Sequence, residues 1–375
     1  MQALILAGGE GTRLRPLTLT MPKPAIQLVD RPFLRFMIDW LATHGVDEVI
    51  VASGFGADEL RAALGDGGDG GPSIAYVTEE EPLGTGGPLR LAADEGALEE
   101  RFVVLNGDVL TDLDLGDLMR AHESSEAVAS LALYPVDDPT AYGLVRRTGG
   151  PEGPGAAPEA PTGVVQEFLE KPDPDAIDTD EISAGIYVLE RQGIDLIPHG
   201  RNVSIEREVF PRLVGRGLYG HGLSGYWMDI GTPERYLQAS WDILEGRVKT
   251  EAGARLDGTG LLVEAEGVDP GATIEAPALV ETDVAAAAEA SIGPRAVIAR
   301  GSQLGEGAAV ASSVLLPHAH IGAGATVTQS ILGPGVRVGE GARVGPGAVL
   351  GEDSEVEAGK ELDAGARVPP GERVA

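Results

Sequence analysis

No cysteine occurs in the 375 residues. That excludes disulfides, thiolate nucleophiles and cysteine metal sites, and it suits a reducing, cytoplasmic compartment. No apolar run approaches the length that spans a bilayer. A strand-like run begins at Gln2, which leaves no room for a signal peptide. Positive charge is short too: 28 basic side chains face 59 acidic ones, a net charge of −31. Nucleic acid and anionic membranes are disfavoured as partners, because such a surface repels both. The acid is spread along the chain and reads as a solvated surface, of the kind seen in proteins adapted to high salt. Lysine is the scarcest base, present only at 23, 171, 249 and 360. In a chain that otherwise uses arginine, Lys23 and Lys171 are candidates for chemistry that requires an ammonium. No aromatic residue follows Trp241, so any core beyond that point must be built from aliphatic side chains.

What is present is organised around Leu6–Leu14, LAGGEGTRL, after the short apolar run Gln2–Leu6. Glycines 8, 9 and 11 let the main chain of Leu6, Ala7, Gly8, Gly9, Gly11 and Thr12 approach an anion closely. Arg13 adds a planar charged fork suited to phosphate oxygens. Lys23 adds a point charge between Pro22 and Pro24, which stiffen its loop. GGEG alone would be no more than a glycine-rich turn after a strand. With Arg13 and Lys23 attached, it reads as a nucleoside triphosphate site. Leu14 stands where a dinucleotide fingerprint needs its third glycine, and no Gly-Lys-Ser/Thr is present for a P-loop.

Further on, Asp30-Arg31-Pro32 reads as a helix start, capped by Asp30 with proline just inside. Phe33, Phe36, Met37, Trp40 and Leu41 then share one helical face. Strands are expected at 49–51, 74–77, 102–105 and 128–134, with a helix at 57–64. Strands alternating with helices predict a parallel sheet covered on both faces, with ligands at the strands' carboxyl ends. Glu79–Leu89, EEEPLGTGGPL, follows one such end. It fits either a base-reading loop around Gly84 and Thr85 or a helix-start turn capped by Thr85. Asn106-Gly107-Asp108 follows another end, where a carboxylate could hold a hard divalent cation or close an Asx turn. A hairpin pairs 142–145 with 163–168, and the glycine- and proline-rich 149–162 between them is expected to be a disordered tip. Its far arm ends in Glu170-Lys171. Neighbours on a strand point to opposite faces, so a plain ion pair between these two is disfavoured. Ser204 and Glu206 read as local capping partners. Thr232 caps a helix entered at Pro233, and Asp229 lies three residues before that cap.

From residue 250 an apolar period of six takes over: Leu256, Leu262, Val268, Ile274, Val280, Ala286, Ile292, Ile298, Leu304, Val310 and Leu316. The register slips by one before Ile321 and again before Leu332. It then continues through Val338, Val344, Leu350 and Val356. Small residues precede many of these by two. Such hexads predict a left-handed parallel β-helix, three hexads to a coil. The expected domains are 1–248 and 249–375, with homo-oligomers formed through the β-helix.

GGEGTRLRPLT followed by PKP resembles the signature of the sugar-1-phosphate nucleotidyltransferases, also called NDP-sugar pyrophosphorylases. EEPLGTGGPL is similar to the base-recognition segment of the mannose-1-phosphate guanylyltransferases. The resemblance implies a Rossmann-like α/β nucleotidyltransferase domain with a mixed, mostly parallel sheet, followed by the β-helix. It implies GTP and mannose 1-phosphate as substrates, with another nucleotide and glucose 1-phosphate as the alternative. Arg13 and Lys23 would bind the triphosphate and stabilise the transition state, with Asn106 on the nucleotide. Asp108 and Asp229 would hold Mg2+. Glu170 would meet sugar hydroxyls, Lys171 the sugar phosphate, and Gly143 would let the sugar pack on the backbone. Ser183 stands where the family usually has a sugar-contacting asparagine, which leaves the sugar open. Two other classes fit less well. A β-helix acyltransferase would have only His318 and His320 as bases. A non-catalytic regulatory subunit would have no use for intact Arg13, Lys23, Asp108 and Asp229.

Overall fold

The computed structural model describes residues 1–68 and 70–375. The chain forms two compact units, Met1–Gly9 with Met37–Trp227 and Glu10–Phe36 with Met228–Ala375.

The first unit is built on nine strands: β1 (Gln2–Leu6), β2 (Glu48–Ser53), β3 (Ser73–Thr78), β4 (Arg101–Asn106), β5 (Ala129–Pro135), β6 (Gly143–Arg147), β7 (Thr162–Glu170), β8 (Glu181–Glu190) and β9 (Leu218–Gly222). Their order is β3-β2-β1-β4-β8-β5-β9-β7-β6. The β3-β2-β1-β4 half is parallel. These strands are apolar on both faces, as a sheet covered by helices requires. Beyond β4, β8 pairs antiparallel to both β4 and β5, and the β6–β7 hairpin closes the far edge. The helices α1 (Phe33–Thr43), α2 (Ala57–Leu64), α3 (Gly87–Asp94) and α4 (Leu115–Ser124) fall between strands. The expected stripe of α1 is buried throughout. Leu4, Ile50, Phe102, Val104, Leu131, Tyr187 and Phe210 belong to one core cluster.

Two local expectations are revised. Asp30-Arg31-Pro32 does not start the helix: Gln27–Leu28 and Arg31–Pro32 form a hairpin turned by Val29-Asp30, and α1 begins at Phe33. Val29 sits at φ 56°, a region a β-branched residue seldom enters. The Asp30 carboxylate bonds Arg31 at 2.9 Å and Arg255 at 2.6 Å instead of a helix N-terminus. The 149–162 tip is anchored. Buried Arg147 grips Glu181 through two bonds of 2.7 and 2.9 Å and donates to the Ala160 carbonyl at 2.7 Å.

The second unit carries a parallel β-helix of three sheets, with seven, seven and five strands. One register line runs Val280, Ile298, Leu315, Leu332, Leu350 and Val368, all within the interior cluster. The first five-residue step is therefore Val310 to Leu315. Leu316, read from the sequence as an interior position, lies outside this line. Left-handed corner residues mark the same steps: Gly307 is followed by Ser312 and Gly324 by Gln329, where six-residue spacing otherwise holds. On the first sheet the outward residues Leu279, Val297, Val314, Ile331 and Val349 are buried as well. Helix α5 (Pro233–Leu244) is tied to this sheet's coils at both ends, through Arg295–Glu245 at 2.5 Å and Arg367–Glu234 at 3.8 Å. Ile292→Val removes one buried methylene from the interior. It is expected to cost about 0.5–1.5 kcal/mol, read as a lowered denaturation midpoint.

Candidate active site

In the first unit, β1 and β4 run side by side and Leu6 pairs with Asn106. The loops that leave these two strand ends are thereby neighbours. Gly107 donates its N–H to the Leu6 carbonyl at 2.8 Å, and a Cβ on Gly107 would lie 2.5 Å from that oxygen. Only glycine fits there, and the tight approach places Asp108 beside the first loop. The N–H of Ala7 is committed to the Ala52 carbonyl at 2.7 Å. Gly9 faces open space.

Gly8 faces Glu79. A Cβ on Gly8 would meet Glu79 Oε1 at 2.8 Å, while Oε2 accepts the Leu83 N–H at 2.8 Å. Burial pushes the Glu79 carboxyl up, with the Leu83 N–H acting the other way. Sequence reading passed over this residue as one of three consecutive glutamates. Its placement depends on β3 ending at Thr78, so that the Glu79 N–H bonds the Ser53 carbonyl at 2.8 Å.

The glycine-rich loop that follows is zipped to residues 202–205. Val203 N–H bonds Leu83 O at 2.9 Å, Gly86 N–H bonds Val203 O at 2.8 Å, and Asn202 Nδ2 donates to Pro82 O at 2.8 Å. Gly84 has φ 74°, and its Cβ would lie 2.5 Å from Val203 O. The glycine here is required by this packing of chain on chain.

Past the other end of the sheet, β8 carries Ser183. A bulge follows it, where Gly185 adopts φ 71° and lies against the Asn106 amide. Ser183 is 9% exposed. Its Oγ and the Oδ1 of Asn106 are buried and make no well-formed hydrogen bond, the Tyr187 phenol being the polar group that approaches both side chains. Buried polar atoms left this loosely paired are candidates for a ligand's hydrogen bonds. Glu170 faces Gly143 across the hairpin, and a Cβ on Gly143 would strike the Phe168 ring at 2.5 Å and Glu170 Oε2 at 3.2 Å. Gly143 thus makes room for Phe168 and Glu170. Burial raises the Glu170 carboxyl, and the charge of Glu206 raises it further. Lys171 lies beyond the last strand residue, at φ 53°, so strand alternation does not govern it. Its N–H bonds the Tyr142 carbonyl at 2.8 Å. A lysine held in the left-handed region costs of order 1–3 kcal/mol, and such strain clusters at functional positions. Trp227 closes this side, its ring against Tyr134 and Tyr142 and its indole N–H bonded to the Ala184 carbonyl at 2.8 Å.

In the second unit, Gly11 has φ 60°, and its Cβ would meet Lys23 Cβ and Thr18 Cγ2 at 3.0 Å each. The Thr18 hydroxyl donates to the Gly11 carbonyl at 2.9 Å. Gly11 precedes the turn Thr12–Leu14 that carries Arg13. Arg13 and Asp229 converge on Gly231: a Cβ there would lie 2.6 Å from a guanidinium nitrogen of Arg13 and 2.9 Å from Asp229 Oδ2. Asp229 is 8% exposed and is ion-paired with Arg235. Each unit therefore groups its own predicted residues: Leu6, Ala7, Gly8, Asn106 and Asp108 with Glu79 in the first, and Gly11, Arg13, Lys23 and Asp229 with Gly231 in the second. Gly231 had a legible signal, since it sits inside DIGTP between an acid and a helix cap. Glu79 had none.

Comparison with known proteins fits this arrangement. Residues 2–246 match the family described as Nucleotidyl transferase, and residues 274–370 match the GMPPB C-terminal domain. A mannose-1-phosphate guanylyltransferase of Mycobacterium tuberculosis is 40% identical over 277 residues, 73% of each chain. Mannose-1-phosphate guanylyltransferase 1 of Arabidopsis thaliana is 36% identical over 328 residues, 85% of this chain and 87% of that one. Among solved structures, HddC from Yersinia pseudotuberculosis superposes with a TM-score of 0.51 at 27% identity, covering 64% of this chain and 97% of its own. No helix among the described residues is long and apolar enough to cross a membrane. Matched over residues 2–246 and 36–40% identical to these two guanylyltransferases over most of its length, the chain belongs to the nucleotidyl transferase family of enzymes.

Proposed function

We propose that the protein transfers the guanylyl group of GTP to mannose 1-phosphate, giving GDP-mannose and pyrophosphate. The observation that carries the base is Glu79. Guanine alone among the common bases presents two adjacent donors, N1–H and N2–H2, on its pairing edge. A carboxylate accepts both at once. Glu79 belongs to the loop that also holds Gly84 and Thr85, and it lies against Gly8 of the first loop. The relatives named as mannose-1-phosphate guanylyltransferases support the same choice.

In this reading Arg13 and Lys23 neutralise the triphosphate, with the main chain of Leu6–Thr12 and Asn106 around it. The sugar phosphate oxygen attacks the α-phosphorus while pyrophosphate leaves in line, and no covalent enzyme intermediate is needed. Catalysis is positioning and charge neutralisation. Glu170 and Ser183 receive sugar hydroxyls, with Gly143 leaving the room that Glu170 occupies, and Lys171 receives the phosphate. Asp108 and Asp229 would hold Mg2+. Both are hard oxygen donors, and no group of three or more His, Cys, Asp or Glu side chains among the described residues forms a cage. Two carboxylates plus phosphate oxygens and water suit magnesium, which seldom uses an all-protein site. The ion, when bound, supplies Lewis-acid charge to the phosphates. The division of labour between residues 1–248 and 249–375, the cytoplasmic location and homo-oligomers built through the β-helix belong to the same proposal.

The test is pyrophosphate release from four nucleoside triphosphates against mannose and glucose 1-phosphates. GTP with mannose 1-phosphate should turn over fastest. Preference for dTTP or UTP with glucose 1-phosphate would overturn the reading. Lys171→Ala should raise KM for the sugar 1-phosphate by roughly 10–100-fold, the loss of one charge-assisted bond. An equal rise in KM for the nucleotide would remove Lys171 from the sugar phosphate.

A further inference from the structure

Glu206 stands in the short helical turn Ile205–Val209, directly after the 202–205 segment that is zipped to the glycine-rich loop. Sequence reading pairs it locally with Ser204. The structure keeps that pairing and adds a distant partner, Thr85. Glu206 Oε2 accepts the Thr85 hydroxyl at 2.5 Å and the Ser204 hydroxyl at 2.8 Å. The Thr85 oxygen in turn accepts the Ile205 N–H at 2.9 Å, and the Ser204 oxygen accepts the Arg207 N–H at 3.2 Å. Each hydroxyl therefore has one proton, and that proton goes to Glu206. The Ser204 N–H is taken by Glu208 Oε1 at 3.1 Å, so capping this turn does not require Glu206. Thr85 is the tip of the glycine-rich loop assigned above to the nucleotide.

This carboxylate stands on the turn that leads into Phe210, whose ring packs against Phe168 of β7 at 5.3 Å and Tyr187 of β8 at 4.9 Å. The Glu206 charge reaches Glu170 on β7, where Lys171 and Arg207 act in the opposite sense. It also reaches the fully buried phenol of Tyr187 on β8, which burial, Glu206 and Glu170 together keep protonated. Glu206 thus lies within electrostatic reach of a neutral phenol and of Glu170, and it is held by the Thr85 hydroxyl.

We propose that Glu206 is a positioning residue that couples the two substrate sites: the Thr85 hydroxyl fixes its carboxylate, and that carboxylate sets how readily Glu170 accepts sugar hydroxyls. The coupling rests on the guanylyl-transfer reading, and the sugar 1-phosphate is its readout. Partial burial strengthens the interaction between neighbouring charges, so the placement of one counts for the other.

The test uses the full chain with Thr85→Val, Thr85→Ser and Glu206→Gln, in steady-state kinetics with GTP and mannose 1-phosphate. Thr85→Val is isosteric but cannot donate. It should raise KM for mannose 1-phosphate about 5–10-fold, the loss of a hydrogen bond to a charged group, although Thr85 lies in the nucleotide loop. Thr85→Ser should restore it. Glu206→Gln keeps an acceptor for both hydroxyls and removes the charge. Glu206 raises the Glu170 carboxyl, so removing its charge lowers it. The acidic limb of kcat/KM for mannose 1-phosphate should then move to lower pH. The substrate's own phosphate titrates identically in every variant and cancels from the comparison. A merely structural role would lower kcat and the melting temperature and leave the limb in place. If the wild type turns over and neither KM for the sugar nor the acidic limb moves, the coupling is wrong while the reaction stands. If the wild type releases no pyrophosphate from this pair, the reaction and the coupling fail together.

Discussion

Asp108→Ala should lower kcat by about 10²–10³-fold and remove the response of the remaining rate to Mg2+, since a bound cation supplies several kcal/mol of charge stabilisation to a phosphoryl transition state. The argument begins with Gly107. Its N–H bond to Leu6 and the absence of a Cβ draw the end of β4 onto the end of β1, which leaves Asp108 beside the loop of Gly8 and Gly9. A carboxylate at the carboxyl end of a parallel strand, next to a glycine-rich loop, is where open α/β sheets gather ligands. Asp108→Asn separates charge from shape: it keeps an oxygen in place and should recover only a small part of the rate. The check is pyrophosphate release against Mg2+ concentration for wild type, Asp108→Ala and Asp108→Asn. Unchanged magnesium dependence in Asp108→Ala would take Asp108 out of the metal site.

Strand and helix placement was legible wherever the pattern was strong. The apolar runs at 2–6, 49–51 and 102–105 read as buried strands and the stripe from Phe33 to Leu41 as one buried helical face, and all but the half-buried Leu6 are buried. The hexads declared the β-helix because its interior tolerates nothing but a repeated aliphatic. What stayed hidden depended on contacts between distant segments. Val29-Asp30 turns a hairpin with a β-branched residue at positive φ, a choice that turn chemistry argues against and only the surrounding structure enforces. The five-residue steps at Leu315 and Leu332 are hidden because Leu315 and Leu316 are both apolar and both buried, and only strand pairing tells them apart. Arg13, Lys23 and Asp108 are candidates from residue type and position alone. The reason for the glycines is not legible that way. Gly84 and Gly143 each read as room for a ligand, whereas the chain itself fills the space with Val203, Phe168 and Glu170. Glu170-Lys171 reads as two neighbours on one strand, yet the strand ends between them.

Glu79→Gln should collapse the preference for guanine. Glutamine places one acceptor and one amide donor where the carboxylate offered two acceptors, so one of the two guanine donors loses its partner and faces a donor instead. Sites built around a substrate's hydrogen bonds discriminate steeply, because the analogue leaves buried groups unpaired. On that basis kcat/KM for GTP should fall about 10²-fold, while the values for UTP and dTTP stay the same or rise. The pH profile gives an independent check. Burial raises the Glu79 carboxyl, so protonation sets in at higher pH than for an ordinary glutamate. Only the ionised form accepts both guanine donors. Wild-type kcat/KM for GTP should therefore fall as pH drops through that raised value, and this limb should be missing in Glu79→Gln. Parallel losses for GTP and UTP, with the acidic limb retained, would show that Glu79 supports the loop through Leu83 and does not read the base.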